Sequence, residues 1–283
     1  MATKNRSTLR AVRLGQALRD LREDSGKTVR AVAADLGVQP GTLSKKENGK
    51  IVASTSDVDA YLRICHEHDR RRRDLLYKLA KDVFQKGWWD GYIDDVDGEL
   101  IDRIWLESKA IQIDSFENVV IPGLLQTPAY ASGLMRIDQP TTPDADIERW
   151  LEVRATRQHI INRHEPINFR AVIDQSVLVR HVVSPEVMRR QLDYLLKASK
   201  LDNVEIWILP FSSGIPPIQT GAFEALKLVD PYPSAGLLPG PGGDICVEGE
   251  TIDFLVAKYD RLLKACLDPD ASRQLITAER DKL

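Results

Sequence analysis

Cysteine is scarce in this chain of 283 residues: Cys65, Cys246 and Cys266 stand far apart, form no C-x-x-C pair and are odd in number. That excludes a disulfide framework and fits a reducing compartment. Long apolar runs are missing as well. No stretch of about eighteen apolar residues occurs, which argues against a membrane-spanning helix. The opening MATKNRSTLR lacks the apolar segment of a secretory leader. These absences predict a soluble protein of the cytoplasm without membrane contact.

Catalytic sets are missing too. Cys65-His66-Glu67-His68-Asp69 has metal-ligating residue types, but neighbours on a helix project about 100° apart and no second ligand cluster accompanies them. A polar helix end is expected there, and no metal. The glycines of LPGPGGD at 238–244 lack the Lys-Ser/Thr of a phosphate loop and a strand-to-helix context; they read as a flexible loop. Ser212-Ser213-Gly214 is not the G-x-S-x-G elbow of a hydrolase, so a surface turn is expected. Without a paired nucleophile and base, a metal set or a phosphate loop, neither enzymatic activity nor a cofactor is expected.

What is present is ordinary globular material, 43% hydrophobic and 29% charged, enough for two domains. The net charge of −3 hides an asymmetry: residues 1–50 carry eleven Lys/Arg against five Asp/Glu, so the remainder is at −9. Arg70 to Arg73 add a second basic cluster close by. A basic head on an acidic body is the footprint of a head that meets phosphate.

Apolar periodicity divides the head into helices. Leu14, Ala17, Leu18 and Leu21 lie at i, i+3, i+4, i+7, which predicts a helix from Leu9 to Asp24 that stops at Ser25-Gly26. Thr28 caps a short second helix with Val29, Val32, Ala33 and Leu36 inward. Gly37 breaks the chain, Val38 anchors it, and a third helix starts at Pro40 and ends before Gly49. Helix, glycine turn, helix is the DNA-reading unit. On the third helix Gly41, Lys45 and Asn48 share one side, flanked by Thr42 and Ser44, while Leu43 points to the core. Together with Gln39 and Lys46 these residues form the candidate double-stranded-DNA surface, where Lys reaches guanine or phosphate and hydroxyls reach phosphate. Two further helices, Asp57–Cys65 and Asp69–Phe84, complete the region, the second leading towards the next domain.

The stretch LGQALRDLREDSGKTVRAVAADLGVQPGTLSKKENGK resembles the Cro/repressor-type (XRE) helix-turn-helix family. The resemblance implies a structural ion pair between an Arg late in the first helix and the Glu before the closing x-Gly, here Arg22 and Glu47. Val29 stands where the family has a phosphate-donating Gln, and Lys46 where it has an apolar residue, so the family's phosphate contacts are not implied for those positions.

Beyond the head, GWWDGYIDDVDG at 87–98 reads as an ordered linker, with Trp88 and Trp89 in core or interdomain packing or, as the alternative, in a ligand cage. A helix from Glu99 to about Ile113 and a strand around Phe116–Ile121 follow. Thr127-Pro128 caps a helix to about Met135, and Thr142-Pro143 caps another to about Asn162. Along that second helix Arg149, Arg154, Arg157 and Arg163 pair with acids or, alternatively, meet an anion or partner. An α/β alternation comes next: strand Ile167–Ile173, a helix from Ser184-Pro185 to about Ser199, and strand Val204–Leu209, apolar on both faces and therefore expected at the sheet centre. Strands Phe223–Val229 and Ile245–Val247, an amphipathic helix Thr251–Leu267 and a last helix after Asp268-Pro269 finish the chain.

VVIPGLLQTPAYA at 119–131, VIDQSVL at 172–178, PEVMRRQLDYLL at 185–196 and ILPFSSG at 208–214 resemble the C-terminal domain of antitoxin-like helix-turn-helix regulators, a domain of unknown function. That resemblance implies regulation, often beside a small partner protein encoded nearby. The expected organisation is an all-α helix-turn-helix domain at 1–70, a helical linker at 71–98 and an α/β domain at 99–283 with a mixed sheet of about four to five strands. The expected activity is transcriptional regulation by a homodimer, the C-terminal domain receiving a protein or small-molecule signal. The alternative is an antitoxin-type module that neutralises a partner protein and binds DNA as autoregulation.

Overall fold

The computed structural model describes residues 7–93, 95–180, 182–214, 221–240 and 243–283. The chain forms two compact units, Met1–Ile93 and Asp94–Leu283.

The first unit is helical. In α1 (Leu9–Asp24) the Thr8 hydroxyl accepts from the Ala11 amide, and Leu14, Leu18 and Leu21 are buried. Thr28 caps α2 (Val29–Asp35) in the same way, and Gly37 turns the chain at a φ of 67° into α3 (Pro40–Glu47), whose Leu43 is buried. A reciprocal Ser54–Asp57 capping box starts α4 (Thr55–Ile64), satisfying two orphan amides at once. Asp69 caps α5 (Arg70–Val83), which packs against α1 and α4 through Leu76, Leu79 and Ala80. The Cys65–Asp69 segment serves helix ends: Cys65 closes α4, His66 takes a left-handed φ of 54°, and Asp69 opens α5. Trp88–Tyr92 form a single 3-10 turn in which Trp89 is buried and packs edge-to-face with the half-exposed Trp88.

The second unit is built on a six-stranded mixed sheet among the described residues, ordered β3-β2-β1-β4-β5-β6. It opens with α6 (Gly98–Lys109) and β1 (Ala110–Glu117). The helix therefore ends four residues earlier than expected, and the strand lies upstream of 116–121. Leu106, Ala110 and Ile113 continue a helical spacing, so periodicity alone carries the helix too far. After α7 (Pro128–Asp138) and α8 (Asp144–Gln158) come β2 (Asn168–Asp174), a short α9 (Gln175–Val179) that had no counterpart in the sequence reading, α10 (Pro185–Ala198) and β3 (Val204–Leu209). β1, β2 and β3 are parallel, with Phe116 opposite Val172 and Ala171 opposite Ile206.

β3 is an edge strand, not the central one its two apolar faces suggested. Its free edge is closed from the C-terminus: the Leu267 amide donates to the Ile208 carbonyl, and the Ile208 amide to Ser272 Oγ. This capping, with α12 (Pro269–Arg280) packed on the strand, gives an edge the burial of a centre.

Antiparallel strands extend the other side: β4 (Phe223–Leu228), β5 (Ala235–Gly240) and β6 (Gly243–Val247). In its described residues LPGPGGD is thus paired strand, with Pro239 opposite Asp244 and Gly240 opposite Gly243, and not a flexible loop; Pro241 and Gly242 lie outside the described residues. Its glycines and prolines erase the alternation that marks a strand. One sheet face carries Phe116, Val172 and Phe223 against Ile252, Leu255, Tyr259 and Leu262 of α11 (Glu250–Ala265).

Candidate nucleic-acid interface

The helix-turn-helix of the first unit is held by side chains that the sequence spaces far apart. Arg22 Nε donates to Glu47 Oε1 at 2.7 Å and its Nη2 to Oε2 at 3.0 Å, a bidentate pair with both side chains buried. The Tyr61 hydroxyl of α4 donates to Glu47 Oε1 at 3.0 Å, and Arg22 Nη1 donates to the Lys27 carbonyl. Hydrogen bonding to Glu47 raises the Arg22 pKa against the pull of burial. Burial, then the Glu47 carboxylate, drives the Tyr61 pKa far up. One carboxylate thus ties α1, α3 and α4 together.

Two glycines let the helices approach. A Cβ on Gly15 would lie 2.5 Å from the Lys46 carbonyl oxygen, and one on Gly49, at a φ of 67°, 2.7 Å from the Val12 backbone. Backbone cannot yield as a side-chain tip can, so only glycine fits at either place.

These contacts set what α3 shows to solvent. Gln39, Gly41 and Lys45 are exposed, while Thr42 and Ser44 are half-buried. Gln39 stands at the N-cap with its side chain making no cap hydrogen bond. Lys46 is engaged instead: its Nζ bonds Asp57 Oδ1 at 2.6 Å, and with the Ser54 bonds this holds the Asp57 pKa below the usual range despite burial. Asn48 is exposed but tethered, accepting from Arg19 Nη2 at 2.5 Å and donating to the Ser44 carbonyl. Of the candidate residues, Gln39, Gly41 and Lys45 are thus exposed and Thr42 and Ser44 half-buried, while Lys46 and Asn48 are committed to intramolecular bonds. Sequence reasoning missed Gly15, Arg19, Asp57 and Tyr61, because each acts through a residue in another helix. The only local signal was the S-x-x-D of the Ser54–Asp57 cap.

The four arginines of the second unit divide. Arg149 pairs with Asp95 and Glu152, and Arg157 grips Glu107 in a bidentate pair. Arg154 bonds an amide, Gln126 Oε1, and Arg163 bonds the carbonyls of Glu165 and Ala110.

A capped helix pair with a glycine turn, an exposed α3 face and a buried lock behind it define a helix-turn-helix DNA-binding protein. Residues 13–76 match the model of a helix-turn-helix domain. Residues 100–278 match the domain of unknown function DUF5753, and the chain belongs to that family. No curated protein and no solved structure matches the chain. Among the described residues no helix is long and apolar enough to cross a membrane.

Proposed function

We propose that this chain is a sequence-specific transcriptional regulator that binds double-stranded DNA as a homodimer, the DUF5753 domain receiving the signal. The observation that carries the reading is the contrast on α3: Arg22, Glu47 and Tyr61 fix its inner side, while Gln39, Gly41 and Lys45 are exposed and Thr42 and Ser44 half-buried. A rigid helix presenting Lys45 and small polar groups suits a major groove, in which lysine donates to guanine O6 or N7.

A single head of this size buries roughly 600–1,000 Å² on DNA, too little for tight selective binding at physiological salt. Two heads on half-sites about 34 Å apart supply the rest. Selection of bound fragments from genomic DNA by the full chain, followed by footprinting, tests both points. Enrichment of one inverted repeat is the expected result, with light scattering at about twice the 31.8 kDa chain mass. Equal retention of all fragments would refute sequence specificity. A monomer on one short asymmetric site would refute the dimer.

A further inference from the structure

On the sheet face opposite α11, strand register brings charged residues together. Glu224 lies across from Ser115, and Glu117 follows two residues along β1, so all three share that face. Asp244 reaches it from β6. Arg103 of α6 donates to both Asp244 and Glu224, and Arg157 of α8 holds Glu107. Arg154, one turn before Arg157, adds a third guanidinium.

Arg103, Arg154 and Arg157 balance Glu107, Glu224 and Asp244, which leaves Glu117 as the surplus acid. No hydrogen bond or ion pair reaches the Glu117 carboxyl among the described residues. Burial and the neighbouring Glu224 push its pKa up to about 8, with Arg103 pulling down, Asp244 pushing up, and Tyr130 of α7 within its field. Burial, then Arg157 and Arg103, lower that of Arg154 to about 10.

Two polar atoms close to Glu117 in the chain are also without partners: Ser115 Oγ, on the same face, and Asn118 Oδ1, both buried. Native interiors hold few such atoms, and each calls for a partner, whether water, ion or ligand. The loop leaving β1 is meanwhile clamped by three glutamines. Gln126 Nε2 donates to the Ile121 carbonyl, Gln158 Nε2 to those of Gly123 and Gln126, and Gln191 Nε2 to Leu125 while its Oε1 accepts from the Thr127 amide. Val119, 58% exposed, keeps this loop at the surface. A rigid loop at the carboxyl end of a parallel strand is where open α/β sheets hold ligands.

We propose that Glu117, with Ser115 and Asn118 beside it, receives a small organic cation, a protonated amine whose charge replaces the carboxyl proton. On binding, the ammonium N–H groups donate to the Glu117 carboxylate and to Asn118 Oδ1 or Ser115 Oγ, and the Glu117 proton leaves to solvent. The inference rests on the reading of the C-terminal domain as the signal receiver.

Calorimetric titration of the full chain without DNA tests it, using ethylammonium, agmatine and spermidine at pH 7 in two buffers of different ionisation enthalpy. At least one amine should bind saturably and release close to one proton. Glu117→Gln, which mimics the neutral acid and should be no less stable than the wild type at this pH, should weaken that binding roughly tenfold or more. Glu165→Gln, at an exposed acid elsewhere on the unit, should not. Failure of all three amines to bind, binding without proton release, or unchanged affinity in Glu117→Gln would overturn the proposal. Since DNA is absent, that failure is separate from loss of operator selection, which would count against the regulator reading itself.

Discussion

Glu47→Ala should unlock the DNA-binding unit. The Glu47 side chain is 2% exposed and that of Arg22 8%, so water cannot replace what the substitution removes. Two charge-assisted bonds to Arg22 disappear, and the buried Tyr61 hydroxyl loses its acceptor. Arg22 keeps the Lys27 carbonyl and the exposed Glu23. Breaking a buried pair from one side costs about 3–5 kcal/mol, because the surviving charge stays desolvated. Small domains are stable by only about 5–15 kcal/mol, so a large share of the unit's stability is lost. Hydrogen exchange of the full chain, resolved by segment, reads this directly. Amides of α1, α3 and α4 should exchange roughly a hundredfold faster or more, while β1 and β2 stay as protected as in the wild type. Glu47→Gln keeps one oxygen that can accept from both Arg22 Nε and Tyr61, and should cost less. The double change Arg22→Met with Glu47→Met should recover much of the loss, since an apolar pair leaves no charge behind. Unaltered protection of α1, α3 and α4 in Glu47→Ala would refute the lock.

Lys45→Ala should weaken binding to the selected DNA by about 1–3 kcal/mol if Lys45 donates to a base edge; equal losses on selected and scrambled DNA, by fluorescence anisotropy, would reassign it to phosphate. Gly15→Ala should destabilise the first unit by about 1–3 kcal/mol through the clash with the Lys46 carbonyl, and an unshifted denaturation midpoint would contradict that close approach. For Glu117, the folded pKa of about 8 lies above the ordinary 4.5. The folded state therefore keeps a proton that the unfolded chain releases, so its contribution is full below pH 4.5 and is lost as pH rises to about 8. The loss amounts to a few kcal/mol at most for this half-buried group, and Glu117→Gln should flatten stability against pH across that window in urea titrations.

Local sequence determined the helical unit closely. Thr8, Thr28, Ser54 and Asp69 are caps whose oxygens bond amides a few residues on, and Gly26, Gly37 and Gly49 take positive φ where the chain must turn. Leu14, Leu18 and Leu21 bury because a 3.6-residue period puts them on one side. Each of these effects acts within about one or two turns, the range over which sequence spacing is geometry. Partners from distant segments were decided only by tertiary structure. β3 reads as central and became an edge because α12 and the loop before it return to cover it. β5 was hidden among Gly and Pro until pairing with β4 and β6 made it a strand. On α3, Asn48 reads as groove-facing on a helical wheel and Lys46 belongs to the candidate DNA surface, yet Arg19 of α1 and Asp57 of α4 bind them. Glu117 carries no local signal; the register of β1 with β4 set it beside Glu224, without a cation of its own. A charge's free energy depends on what surrounds it in space, and that surrounding is assembled only when the chain folds.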